Sequence, residues 1–76
     1  MKLKNVKKGQ RVVTKPNDIV ETGSRGVIIE DDSHYPYINW DKGTVFLNNH
    51  SPYPFDGYKN VKCVDFKYLK KEKNVE

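Results

Sequence analysis

The ten residues Tyr35–Thr44, YPYINWDKGT, bring two tyrosines, a proline, a tryptophan and an Asp-Lys-Gly turn together. Side chains along an extended segment alternate between two faces. Ile38 and Trp40 therefore share one face, and Tyr37, Asn39 and Asp41 share the other. Apolar residues on one side and polar or amphipathic ones on the other predict a half-buried strand. Asp41-Lys42-Gly43 then predicts a tight turn. The stretch thus sets the class of the chain: short strands joined by turns.

The same punctuation continues in both directions. Upstream, Gly9 precedes a strand over Gln10–Lys15 (QRVVTK), which Pro16-Asn17-Asp18 ends. The loop NDIVETGS leads into a second strand over residues 25–31 (RGVIIED). There Val27 and Ile29 are expected on one face and Ile28 on the other. Asp31-Asp32-Ser33 turns the chain into the third strand, Pro36–Asp41. Downstream, residues 44–48 (TVFLN) form a candidate fourth strand, and residues 49–58 (NHSPYPFDGY), with two prolines and a glycine, read as irregular. Residues 60–66 (NVKCVDF) form a further strand with Val61 and Cys63 on one face. Residues 67–71 (KYLKK) read as a last short strand or a single helical turn, and residues 72–76 as a frayed tail. Five or six short strands without a long helix predict an all-β fold, a small antiparallel barrel, because closure removes exposed strand edges. The expected core is Val12, Val27, Ile29, Ile38, Trp40, Val61, Cys63 and Phe66.

With 76 residues the chain is one domain, residues 1–76. A domain of this size buries only about 60% of the surface of its unfolded chain, so most large apolar residues are needed inside. The single cysteine, Cys63, excludes an internal disulfide. Charges interrupt each short apolar run of MKLKNVKKGQRVV, which argues against a secretory leader. No apolar run approaches the roughly 20 residues of a membrane helix. The expectation is a cytoplasmic protein with no membrane partner. Net charge is +4, unevenly spread: residues 1–15 carry +6, residues 16–58 carry −5 and residues 59–76 carry +3.

VKKGQRVV (residues 6–13), a hydrophobic residue and spacer before a Gly-polar turn and a strand, resembles the opening of many SH3-like barrels. GSRGVIIED resembles their Gly-x-x-Gly-x-Val second strand. YINWDKGT, then a gap, then PFDGYKNVKCV, resembles the Mind bomb–HERC type of SH3-like repeat, in which a strand ending in Trp-Asp and a Gly turn precede a Tyr- and Gly-containing segment and a final strand. The resemblance covers residues 6–64 and rests mainly on Gly9, Gly26, Trp40, Asp41, Gly43 and Gly57. The first loop is only PNDIVETGS, where that family implies a longer Trp- and Gly-rich one. The resemblance implies an SH3-like barrel, and such barrels bind peptides, proteins or nucleic acid.

Catalytic signals are weak. Asp31, Asp32 and His34 fall in one turn, but without a second ligand cluster an exposed polar turn explains them, and no metal or cofactor is expected. Gly23-Ser24-Arg25-Gly26 precedes a strand and lacks the Lys-Ser/Thr pair of a phosphate loop. The reading is a non-enzymatic protein. Nine aromatic residues exceed what so small a core holds, about four or five large side chains. Tyr37 is left on an outer strand face, and Tyr35, Tyr53, Phe55 and Tyr58 in proline-rich loops. These, flanked by Asp31, Asp32 and Asp56, suit a protein interface, where Tyr and Trp are enriched. The competing explanation is a satellite cluster in which the long loop seals one barrel end. The leading expectation is a protein-interaction module, by analogy a small accessory or phage-type host-modulating protein that occludes a larger partner. The alternative is nucleic-acid binding. First and last strands are neighbours in SH3-like barrels, which implies that Lys2, Lys4, Lys7, Lys8, Lys67, Lys70 and Lys71, with Lys73, form one basic face. Against it, 12 of the 14 basic residues are lysine, and arginine makes the bidentate contacts. A structural subunit of a homo-oligomer is a third class.

Overall fold

The computed structural model describes residues 8–31 and 35–72, Asp31 by its backbone alone. Within them lie six strands: β1 (Arg11–Thr14), β2 (Arg25–Asp31), β3 (Pro36–Trp40), β4 (Tyr53–Phe55), β5 (Tyr58–Cys63) and β6 (Leu69–Lys71), with a 3₁₀ turn over Phe66–Tyr68 before β6. All pair antiparallel in one sheet of order β4-β5-β3-β2-β1-β6. The principal extents are 29 × 27 × 25 Å. A flat six-stranded sheet would be about 24 Å wide and only about 10 Å thick. The sheet is therefore coiled around its core. No ladder joins β4 to β6, so hydrogen bonds do not close a ring among the described residues. Each edge is instead blunted. Pro54, at the centre of β4, has no N–H, and β6 presents the exposed Lys70 and Lys71.

Register explains the inner face. Val12 lies opposite Gly26 and Gly26 opposite Trp40; Ile28 lies opposite Ile38. Val12, Val20, Ile28, Ile38, Trp40, Val64, Phe66 and Leu69 form one buried cluster. The expected β2 parity is corrected here. Ile28, not Val27, faces the main core, and Val27 is half-buried. The register shift between Ile28 and Glu30 breaks the alternation, and Ile29 is buried beside it. Cys63, expected inside, is half-buried on the opposite face.

Two further expectations change. Residues 44–48 form no sheet strand; Phe46 makes a single bridge to Val20. Asn17 Oδ1 accepts hydrogen bonds from the Ile19 and Val20 amides at 2.8 and 2.9 Å, which turns the loop and sends Val20 inward. Leu47 N donates to Ile19 O and Glu21 N to Val45 O, so the two loops hold each other. Asn48 and Asn49 then take left-handed φ values of 51° and 66°, which end any extension. Conversely, the segment read as irregular contains β4 and its hairpin to β5. Residues 67–71 supply both of the structures that their sequence allowed. Glu72, placed by sequence in a frayed tail, donates its amide to Arg11 O at 3.0 Å.

An ionic cluster ties these ends. Arg11 donates from Nη2 to Asp41 Oδ2 at 2.7 Å and from Nε to Glu72 Oε1 at 2.9 Å; Arg25 Nε lies 3.5 Å from Glu72 Oε2. The hydrogen bonds to Asp41 and then Glu72 push the Arg11 pKa above the usual guanidinium range. Both arginines of the chain are thereby engaged in joining β1 and β2 to the end of β6 and to the turn after β3.

Candidate functional site

Three of the aromatic residues singled out by sequence, Tyr37, Tyr53 and Phe55, come together on the outer face of the sheet. Register defines one row across five strands: Arg11, Val27, Asn39, Val61 and Tyr53. The next row is Glu30, Tyr37 and Cys63. Phe55, from β4, stacks on Tyr37 with ring centroids 4.7 Å apart and planes inclined by 26°. The segment carrying Tyr53 and Phe55 thus lies beside Tyr37, as a shared surface requires.

Val61 is fully buried yet stands outside the main core cluster. Its cross-strand neighbours are Asn39 and Tyr53, and the Tyr37–Phe55 pair lies beside them. The outer aromatics thus build a small second apolar cluster over Val61. Tyr37, Tyr53 and Phe55 are half-buried in consequence, whereas Tyr35 and Tyr58 are 50% and 42% exposed. The cluster covers part of the sheet, and its rings stay partly accessible. Asp56, in the turn between β4 and β5, is exposed, and the backbone of Asp31 pairs with Pro36. Asp32 lies outside the described residues.

Tyr53 anchors the cluster. Its hydroxyl is 3.4 Å from Cys63 Sγ, and Lys62 Nζ sits 5.9 Å from its ring centroid. Burial first, then the hydrogen bond and proximity to Cys63 and the neighbouring Tyr37, push its pKa well above the ordinary phenol value. A raised folded-state value means that the neutral phenol stabilises the fold below the unfolded value of about 10, and that this contribution is lost as pH rises beyond it. Spectrophotometric titration of the folded protein is therefore expected to show one tyrosine ionising later than the rest. Tyr53→Phe is expected to remove that late step; a late step retained in Tyr53→Phe assigns it to another ring.

The turn that places Phe55 is one whose sequence signal went unread. Asp56 and Gly57 have φ values of 52° and 84°, and Phe55 pairs with Tyr58. Positive φ at both central residues is the two-residue hairpin geometry that Asp-Gly favours. That dipeptide, flanked by Phe55 and Tyr58, was the available clue.

The proposed basic face is only partly in view. β6 does pair with β1, and Lys8, Lys67, Lys70 and Lys71 are exposed. Lys67 Nζ lies 5.2 Å from the Tyr68 ring centroid. Lys2, Lys4, Lys7 and Lys73 lie outside the described residues. No ion pair joins a described lysine to a described carboxylate; the three ion pairs are all made by arginine.

A shallow groove of about 240 Å³ opens elsewhere, between Glu21–Arg25 and Asp41–Val45. Its two walls repeat one turn. In Glu21-Thr22-Gly23-Ser24 and Asp41-Lys42-Gly43-Thr44, the fourth amide donates to the first carbonyl at 3.1 Å, and the fourth hydroxyl donates to that carbonyl too, at 2.6 and 2.7 Å. The third residue is glycine with φ of 89° and 91°, as this turn type demands. The Ser24 and Thr44 hydroxyls are thus both engaged in holding their own turns. Among the described residues no helix is long and apolar enough to cross a membrane, and no three His, Cys, Asp or Glu side chains gather as metal ligands.

Comparison with known proteins finds no match: no family model fits the sequence, and no curated protein or solved structure is significantly similar to it.

Proposed function

We propose that this chain is a non-enzymatic, SH3-like protein-interaction module, a small accessory or host-modulating protein that occludes a site on a larger partner. The pairing of β6 with β1 supports the SH3-like reading, because first and last strands are neighbours in such barrels. The observation that carries the interaction reading is the Tyr37–Phe55 stack. It brings aromatics from β3 and β4 into one surface, and the exposed Tyr35 and Tyr58 flank it in the chain, before β3 and opposite Phe55. Rigid aromatics with polar tips contribute large contact area at low entropic cost, which is why they dominate interface energies. Blunted edges on β4 and β6 favour docking on this face over addition of a strand.

The test is capture of partners from the native host by wild type and by Tyr35→Ala/Tyr58→Ala, a pair exposed enough to leave folding intact. The double variant is expected to lose its main partner, with a cost of about 2 kcal/mol, or roughly 30-fold in Kd, for an anchoring ring. Identical partner sets would sink the surface. The second reading, nucleic-acid binding through β6, draws on the absence of carboxylate partners for the exposed Lys70 and Lys71. Salt-sensitive retention of nucleic acid that Lys70→Gln/Lys71→Gln weakens, and Tyr35→Ala/Tyr58→Ala does not, would transfer the function there.

A further inference from the structure

The hairpin turn that positions Phe55 also has an unusual chemical exposure. Asp56 and Gly57 are both exposed. No hydrogen bond or ion pair holds the Asp56 carboxylate among the described residues, and the Gly57 amide donates to no backbone carbonyl. Nothing lies within 4 Å of the space beside the Gly57 Cα. Asp56 holds a left-handed φ of 52°, a region that L residues other than Asn and Asp seldom occupy.

We infer that Asp56-Gly57 is a site of spontaneous aspartyl isomerisation, through which the aromatic face is lost with age. The Gly57 amide nitrogen attacks Cγ of the protonated Asp56 carboxyl group. The new N–Cγ bond closes a five-membered succinimide. The hydroxyl on Cγ leaves with the amide proton as one water. A water molecule then opens the ring at either carbonyl, regenerating aspartate or giving isoaspartate. The sum is an isomerisation that needs no oxidant, reductant or enzyme. Isoaspartate places an additional methylene in the main chain at a turn with only two central residues. Such a turn cannot absorb it while keeping Phe55 opposite Tyr58.

No other aspartate or asparagine of the sequence is followed by glycine. Asp41 is held by Arg11 and is followed by lysine. Asn48 donates its side-chain amide to Asp18 O at 2.9 Å and is followed by another asparagine. The consequence for partner binding rests on the interaction reading above; the chemistry does not.

The experiment is prolonged incubation of the folded protein at mildly acidic pH, followed by digestion and mass spectrometry with isoaspartate-specific methylation. The expected result is a species lighter by one water and a methyl-accepting isoaspartate, both confined to the peptide containing Asp56. Asp56→Ser is expected to lose both. Asp56→Asn, which suits the same left-handed φ, is expected to convert at neutral pH with loss of ammonia. If the folded chain stays aspartyl at residue 56 while the urea-unfolded chain converts, the turn protects the site and the inference is overturned. Conversion without any loss of Tyr37–Phe55 packing, read by near-ultraviolet circular dichroism, overturns the structural consequence alone. Conversion with loss of packing but an undiminished partner set leaves the chemistry standing and counts against the interaction reading.

Discussion

Trp40→Ala is expected to leave the domain largely unfolded at room temperature. Trp40 is the largest fully buried side chain and packs in the main core. Truncating a buried tryptophan costs about 3–5 kcal/mol through lost transfer free energy and the cavity left behind. A domain of under about 80 residues without a disulfide or metal has about 3–5 kcal/mol of stability in total. The substitution also deletes the indole N–H that donates to Lys62 O at 3.2 Å, a link from β3 to β5. Because the chain has one tryptophan, wild-type unfolding is followed by fluorescence and the variant's by far-ultraviolet circular dichroism. Trp40→Phe keeps most of the apolar volume and loses the donor, and is expected to cost about 1–2 kcal/mol. A cooperative, near-wild-type transition in Trp40→Ala would show that the core does not depend on this ring.

Gly26→Ala is expected to destabilise nearly as much, by a different mechanism. A Cβ at residue 26 would lie 2.7 Å from Ile38 Cγ2, 2.8 Å from Asn39 O and 3.0 Å from Trp40 Cα. Two of these are backbone atoms, which no rotamer change moves aside. β2 and β3 must separate locally, at a cost of about 3 kcal/mol from overpacking at the centre of the sheet. For a domain of this size that lowers Tm by roughly 12–24 °C. Gly43→Ala is the contrast. Nothing lies within 4 Å of its Cβ position, but its φ is 91°, so only backbone strain of about 1–2 kcal/mol applies. Urea titrations of the two variants separate the mechanisms. Equal midpoints would mean that the close approach of β2 and β3 at Gly26 is not the constraint.

Gly26 also marks where sequence reading was strong and where it was not. The all-β class, the span of β2 and the inward pair Ile38 and Trp40 follow from period-two patterning and turn residues, which act over a few positions. The β2 faces were misread because a bulge between Ile28 and Glu30 spends one residue out of step, and no local pattern marks it. Val20, Val64 and Leu69 were missed as core because they lie outside the patterned strands or at an edge. An Asx turn at Asn17 and the 3₁₀ turn at Phe66–Tyr68 carry them inward. The aromatic candidates were legible one by one as more rings than a small core can hold. Their assembly was not, because Tyr37 and Phe55 are distant in sequence and meet only through the β3–β5–β4 ladder.

By itself the sequence determined a small all-β chain with basic ends, an acidic middle and a surplus of aromatic side chains. Those properties depend on composition and on alternation between neighbouring residues. Only the tertiary structure decided that both arginines are engaged by Asp41 and Glu72. Only it decided that β6 seats beside β1, and that Tyr37 of YPYINWDKGT shares one outer face with Tyr53 and Phe55 of the Asp56-Gly57 hairpin, beside Val61. Strand order and register set which distant residues become neighbours, and they are fixed by packing of the whole sheet.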